Sequence, residues 1–273
     1  MKNNLIVLSF LLIISQPVDA DIMLLIHGYL GDATSWEKSG INEQLHQQGW
    51  QRAGMFRGST QGPQLFTTEH NKSAKRVYVA TLPSNAPAII QADVLKQVID
   101  IIRYNNNNTQ ERMILVGHSA GGVIARLALI RHQLKNIKGL ITIASPHLGT
   151  HRADQALSIT ADHGPFNMVK RFVGGDDYNA LTHSRGLMID LRYPQPGNML
   201  YWLNGQNHPK IRYSSIIRIN NHGETGDYYV PGFSQNMNNV PALQGQSSTF
   251  ITPGPHFLVR QDANAIMSII KHW

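Results

Sequence analysis

Along the 273 residues, short unbroken apolar runs alternate with longer stretches whose apolar residues recur every three to four positions. The runs are Ile22-Met23-Leu24-Leu25-Ile26, Val77 to Ala80 after Arg76, Met113-Ile114-Leu115-Val116 and Gly139 to Ala144; Tyr213 to Ile219, rich in β-branched residues, and the shorter Ser248-Thr249-Phe250-Ile251 are further strand candidates. Continuous runs of this length, bounded by Gly, Pro or Asn, predict strands buried on both faces. The spaced stretches predict helices. One runs from about Trp36 to Gln48 and is closed by Gly49. Another starts at Asn85 and Pro87 with a stripe of Ile90, Val94, Val98 and Ile101 or Ile102. A third follows Val123 to Leu129, and a last one, roughly Val259 to Ile270, carries Ala263, Ile266, Met267 and Ile270 on one side. Asn105 to Asn108 reads as a solvated loop. Strands alternating with helices predict an α/β domain: a mostly parallel sheet with helices on both faces. Residues from about 151 to 210 break the alternation and are rich in Met and aromatics among Gly and Pro. They predict a cap or lid insertion over a site, in competition with a helical layer that merely covers the sheet.

The first twenty residues have their own pattern. Lys2 precedes an apolar stretch from Leu5 to Ile14, and Val18 and Ala20 are small residues placed for a signal peptidase. This is the layout of a secretory signal peptide, so the expected mature chain is 21–273, a single domain, secreted or periplasmic. The apolar stretch of about ten residues is too short to span a bilayer. The sequence has no cysteine, which excludes disulfides, a thiolate nucleophile and cysteine-based metal sites. The net charge of +7 favours transient contact with an anionic membrane surface. It is spread without a basic block, which argues against nucleic acid as a partner.

Candidate chemistry centres on Gly117-His118-Ser119-Ala120-Gly121-Gly122, between an apolar run and a helical stretch. A strand, a Gly-x-Ser-x-Gly turn and a helix make a nucleophile elbow, which lifts Ser119 clear of its neighbours. Glycines at 117 and 121 are expected because side chains there would strike the adjacent strand or helix. A serine hydroxyl needs a base to take its proton and an acid to orient the base. In chain order, Asp227 follows the strand ending near Ile219 and is preferred to Glu224 as the acid. His256 follows the last strand and precedes the final helix, where the base belongs; His272 is too near the terminus. Donors for a developing oxyanion are expected from the backbone N–H of Ala120 and of Tyr29, with Gly28 allowing close approach. His118, beside the nucleophile, is expected to pack rather than act. The metal alternative lacks a His-Glu-x-x-His: His147 and His151 are four apart with no acid between. No phosphate-binding glycine loop occurs.

Taken together, His27 to Gly31, Gly117 to Arg126, Ser145 to Thr150 and the Asp227 and His256 loops resemble the lipase and esterase branch of the α/β-hydrolase superfamily. The likeness is strongest to bacterial lipases with a His-Gly-x-x-Gly oxyanion loop. The resemblance implies the α/β-hydrolase fold and cleavage of carboxylic esters of apolar acyl chains through an acyl-enzyme. Ser119 would attack, His256 would shuttle the proton, and Tyr29 and Ala120 would hold the oxyanion. Ser145 to Gly149 is similar to the segment lining the pocket mouth in such lipases, which makes His147 and Leu148, with Gly28 and His118, the substrate-binding candidates. No cofactor or metal is implied, and no carboxylate cluster is assigned to calcium. A phospholipase, thioesterase or acyltransferase of the same fold stays open, as does a non-catalytic lipid-binding homologue.

Overall fold

The computed structural model describes residues 21–67, 74–107, 111–159 and 182–273; the expected signal peptide, 1–20, lies outside them. Eight strands form one sheet: β1 (Asp21–Ile26), β2 (Gln51–Ser59), β3 (Gly62–Phe66), β4 (Lys75–Ala80), β5 (Arg112–His118), β6 (Ile137–Ile143), β7 (Arg212–Ile219) and β8 (Ser247–Pro253), in the order β3-β2-β4-β1-β5-β6-β7-β8. Neighbours pair in parallel except β2 with β3. The central strand β1 is buried at all six positions, because in a parallel sheet both faces are covered. Side-chain alternation then splits it between two cores. Ile22, Leu24 and Ile26 join Met113 and Leu115 on one face, and Met23 and Leu25 join Ile114 and Val116 on the other.

The first face is covered by α3 (Ala88–Asn105) and α4 (Ala120–Arg131), the second by α1 (Thr34–Lys38), α2 (Ile41–Gln47) and α9 (Asp262–Lys271). Several expectations are refined. The Trp36–Gln48 stretch is two helices, broken at Gly40, whose φ of 77° places it in the left-handed region. In α3 the buried face runs through Ala88, Gln91, Ala92, Leu95, Val98, Ile99 and Ile102, while Ile90 is exposed. Val94 and Ile101 of the expected stripe pack at its margin, and Gln91 lies on the buried face with its amide donating to the Ala86 carbonyl at 2.7 Å. Asn105 belongs to this helix rather than to the loop after it.

The 151–210 stretch begins as α5 (His151–Ile159) and returns as α6 (Arg185–Asp190) and α7 (Met199–Asn204); Phe166, Met168, Phe172, Tyr178 and Leu181 lie outside the described residues. Leu187, Met188, Leu191, Leu200 and Leu203 are buried in the same core as α3 and α4. The described part of the stretch is therefore built into the domain. A one-turn helix, α8 (Gly232–Gln235), stands between β7 and β8.

Candidate active site

Because β1, β5, β7 and β8 run in parallel, the loops after them leave from one edge of the sheet, the carboxyl ends where open α/β sheets place their sites. From that edge come the loop around Gly28, the Ser119 turn, the Asp227 loop and the His256 loop. Ser119 has φ 51° and ψ −127°, a conformation that costs a non-glycine residue roughly 1–3 kcal/mol. Its N–H donates to the Ile143 carbonyl at 2.8 Å, and its neighbours leave no room to relax. A Cβ on Gly117 would lie 2.5 Å from the Gly122 Cα, and one on Gly121 would lie 2.3 Å from the His27 carbonyl oxygen. These are the helix and strand collisions expected at the two glycines.

The Ser119 hydroxyl donates to His256 Nε2 at 2.9 Å, and His256 Nδ1–H donates to Asp227 Oδ2 at 2.9 Å. The three side chains come from positions up to 137 residues apart. Asp227 Oδ1 accepts the N–H groups of Tyr229 (2.8 Å) and Val230 (2.9 Å), and Oδ2 also accepts from Gln235 Nε2 at 2.9 Å. Burial alone would raise the Asp227 pKa; the bond from His256, its charge and the two backbone donors outweigh this, so the carboxyl sits below its ordinary value. The competing carboxylate, Glu224, points elsewhere, accepting from Asn220 Nδ2 at 3.0 Å in an exposed turn.

Gly28 lies against the serine: a Cβ there would be 2.9 Å from Ser119 Cβ and 3.2 Å from His118 Nδ1. Tyr29 is the next residue, and Ala120 opens α4, where the first N–H groups lack acceptors within the helix. His27 braces this loop from beneath. Its Nδ1–H donates to the Gly28 carbonyl at 2.8 Å and its Nε2 accepts the Leu82 N–H at 2.8 Å, which defines one neutral tautomer. Burial lowers its pKa despite those bonds. His118 donates from Nε2 to the His256 carbonyl at 2.9 Å, and burial followed by the nearby His256 charge pushes its pKa down to about 3. A neutral ring at 118 thus holds the base loop, with packing as its contribution.

One expected substrate contact is corrected. His147 is fully buried, with Nε2 3.1 Å from Thr142 Oγ1, so its side chain faces the core rather than a pocket mouth. The Leu148 N–H donates to Ser234 Oγ at 3.1 Å and its side chain is partly buried against the core. Around His256 stands an aromatic rim that the sequence reading did not single out. The Tyr229 ring is 5.0 Å from the imidazole and 5.9 Å from Phe257. Tyr228 and Phe257, in this cluster, are more than half exposed, as are Leu30 in the loop after Gly28 and Phe233, stacked on Tyr193 at 6.2 Å. Arg152 lies 3.6 Å over the Tyr228 ring. Among the described residues no cluster of three His, Asp or Glu side chains is placed to hold a metal ion.

The strand order and the crossovers define a domain of the α/β-hydrolase fold. The chain belongs to the family described as the PGAP1-like alpha/beta domain, which matches residues 18–179, more than half of its length. Solved structures agree on the fold. A Listeria innocua gene product is similar at TM-score 0.59 with 15% identity, covering 93% of this chain and 92% of that one. The mature form of a Bacillus licheniformis lipase aligns at TM-score 0.54 and 16% identity over 94% and 92%. A phospholipase from Legionella pneumophila aligns at 0.52 and 16%, over 80% of this chain and 46% of its own. No curated protein matches the chain.

Proposed function

We propose that the protein is an exported serine hydrolase that cleaves carboxylic esters of apolar acyl chains. The observation that carries this reading is the unbroken chain of two 2.9 Å hydrogen bonds from the Ser119 hydroxyl through His256 to Asp227. In the proposed reaction Ser119 Oγ attacks the ester carbonyl carbon while His256 Nε2 takes the hydroxyl proton. The carbonyl oxygen becomes an oxyanion held by the N–H groups of Tyr29 and Ala120. As the intermediate collapses, the imidazolium returns its proton to the leaving alkoxide, and the acyl group stays on Ser119. Water, deprotonated by the same nitrogen, then releases the acid. Asp227 keeps its charge throughout, which fixes the tautomer and stabilises the imidazolium.

The exposed rings of Tyr228 and Phe257 beside the base suit an acyl chain, and with the net charge of +7 they support approach to an anionic lipid surface. Export through residues 1–20 belongs to the same reading. So does placement of the start of the 151–210 stretch beside the site, which is supported by Arg152 Nε donating to the Tyr228 carbonyl at 3.1 Å and by Thr150, just before it, donating to the Tyr229 carbonyl. A phospholipid as the ester is a second reading, favoured by the Arg152 guanidinium at the rim and by the likeness to a phospholipase. Turnover of p-nitrophenyl esters of graded chain length by residues 21–273, together with fluorophosphonate labelling, tests the proposal. Activity and labelling are expected in the wild type and absent from Ser119→Ala; equal turnover by the two would remove Ser119 from the reaction.

A further inference from the structure

Resting on the serine-hydrolase reading, we infer that Gln235 is a positioning residue of this site, holding the Asp227 carboxylate against β7 so that Oδ2 faces the base. Gln235 is fully buried at the end of α8. Its side-chain oxygen accepts the Arg218 backbone N–H at 2.9 Å, and its amide nitrogen donates to Asp227 Oδ2 at 2.9 Å and to the Val230 carbonyl at 2.8 Å. That orientation is the one chemistry allows. A backbone N–H can only donate, and a carboxylate and a carbonyl can only accept, so the reversed amide would face three wrong partners.

The two backbone donors on Oδ1 belong to the residues just after Asp227, so they orient the carboxylate within its own loop. Among the described residues, Gln235 is the side chain that ties the carboxylate to the sheet. The anchor it uses is informative. Arg218, on β7, accepts the Gly226 N–H on its carbonyl at 2.7 Å. Its guanidinium reaches the other way, donating to the Phe257 carbonyl at 3.1 Å and to both carboxylate oxygens of Asp262 at 2.6 and 2.8 Å. One residue therefore holds the acid loop through its main chain and Gln235, and the base loop through its side chain. The separation of Asp227 from His256 is set through this bracket.

A neutral donor suits the position. The groups facing the Asp227–His256 pair are the His118 ring, 5.2 Å from that of His256, Tyr229 at 5.0 Å, and Arg218, whose charge is matched by Asp262. Gln235→Glu keeps the shape but sets a second carboxyl about 2.9 Å from Asp227 Oδ2, where the two cannot both ionise and share one proton. The shared proton draws negative charge from Asp227 and disfavours the imidazolium, so the acid limb of kcat/KM moves to lower pH, by about half to one unit. With a p-nitrophenyl ester, kcat at neutral pH falls by about 10-fold or more while KM stays within about twofold, the pattern of a lost transition-state interaction. Gln235→Leu loses the bond without gaining a shared proton, so its kcat falls without that downward shift. NMR titration of the His256 ring in Ser119→Ala, with and without Gln235→Glu, reads the same displacement without turnover. A protein inactive on every ester would therefore overturn the hydrolase reading and leave the positioning role to be judged by the titration. Unchanged His256 titration in Gln235→Glu, or loss of kcat in both variants with an unmoved acid limb and a lowered urea midpoint, would reduce Gln235 to a structural residue and overturn the inference.

Discussion

Replacing Gly28 by Ala probes the site with one methyl group. The glycine has no left-handed φ, so the penalty is spatial. The new Cβ would stand 2.9 Å from Ser119 Cβ, 3.2 Å from His118 Nδ1 and 3.2 Å from the His118 carbonyl oxygen. Carbon–carbon contacts settle at about 3.5–4.0 Å, so loop and serine must separate by about half an ångström or more. The serine side has little freedom, since its turn is wedged between Gly117, Gly121 and their backbone neighbours. The other side is the main chain that carries Tyr29, braced by the buried His27. Whichever moves, the Tyr29 N–H, an oxyanion donor in the proposed reaction, shifts relative to Oγ. Misplacement on the ångström scale costs about 10²-fold, and loss of one oxyanion donor costs about 10²–10³-fold in kcat. Gly28→Ala should therefore lower kcat on a p-nitrophenyl ester by about 100-fold with KM little changed. Overpacking should destabilise it by about 1–3 kcal/mol, so thermal melting must establish that it is folded at the assay temperature. A folded variant within threefold of wild-type kcat would refute the claim that this loop is held tightly against the serine.

Other consequences follow from the same contacts. Asp227→Asn should lower kcat by about 10⁴-fold in esterase assays, because an amide facing Nδ1 selects the wrong tautomer; retention of a tenth of the activity would exclude Asp227 as the orienting acid. Arg218→Met leaves Asp262 buried and unpaired and should cost about 3–5 kcal/mol in urea unfolding, whereas adding Asp262→Leu should recover much of it; equal stability of the single and double variants would contradict this. Stability should also decline in acid through the buried histidines. With His118 held near 3 when folded and near 6.5 when unfolded, the unfolded chain binds the extra proton, so folding weakens by about 1.4 kcal/mol per unit as pH falls from 6.5 towards 3. Unfolding midpoints flat between pH 7 and 5 would refute a neutral buried His118.

What the sequence disclosed follows from physical range. The central strands are legible because burial on both faces forces unbroken apolar runs such as Met23 to Ile26. The elbow is legible because its five-residue motif sits between a readable strand and a readable helix, although the contact that demands Gly121 is with distant His27. The β2–β3 hairpin stayed hidden: the irregular register between Arg52 and Gly54 breaks the two-residue period, and Gly62 to Phe66 is a short edge strand with little burial to mark it. His147 was misplaced because its position after β6 is readable while the direction of its side chain is set by Thr142 beneath. Gln235 and Arg218 carry no local signal at all. A buried amide and a buried guanidinium acquire their meaning from partners 5 to 44 residues distant, and no periodicity encodes such pairings.

The distribution of strain explains why so much of this site is built by main chain. Ser119 can sit at φ 51° only if its surroundings fix it more firmly than its own torsional preference opposes it. The restraint comes from the Ile143 carbonyl on its N–H and from glycines packed against backbone, groups that cannot swing away as a side chain can. Asp227 is treated in the same way, with two backbone donors on one oxygen and, on the other, an amide whose orientation a third backbone group dictates. The freest member is His256, held by its two ring bonds and by contacts of the His118 and Arg218 side chains with its loop. In the proposed reaction that is the member that accepts and releases a proton in every cycle, and a small reorientation of the imidazole between hydroxyl and leaving group is the motion the arrangement leaves available. Stiffening should thus be tolerated at 119 and 227 and be costly at 256.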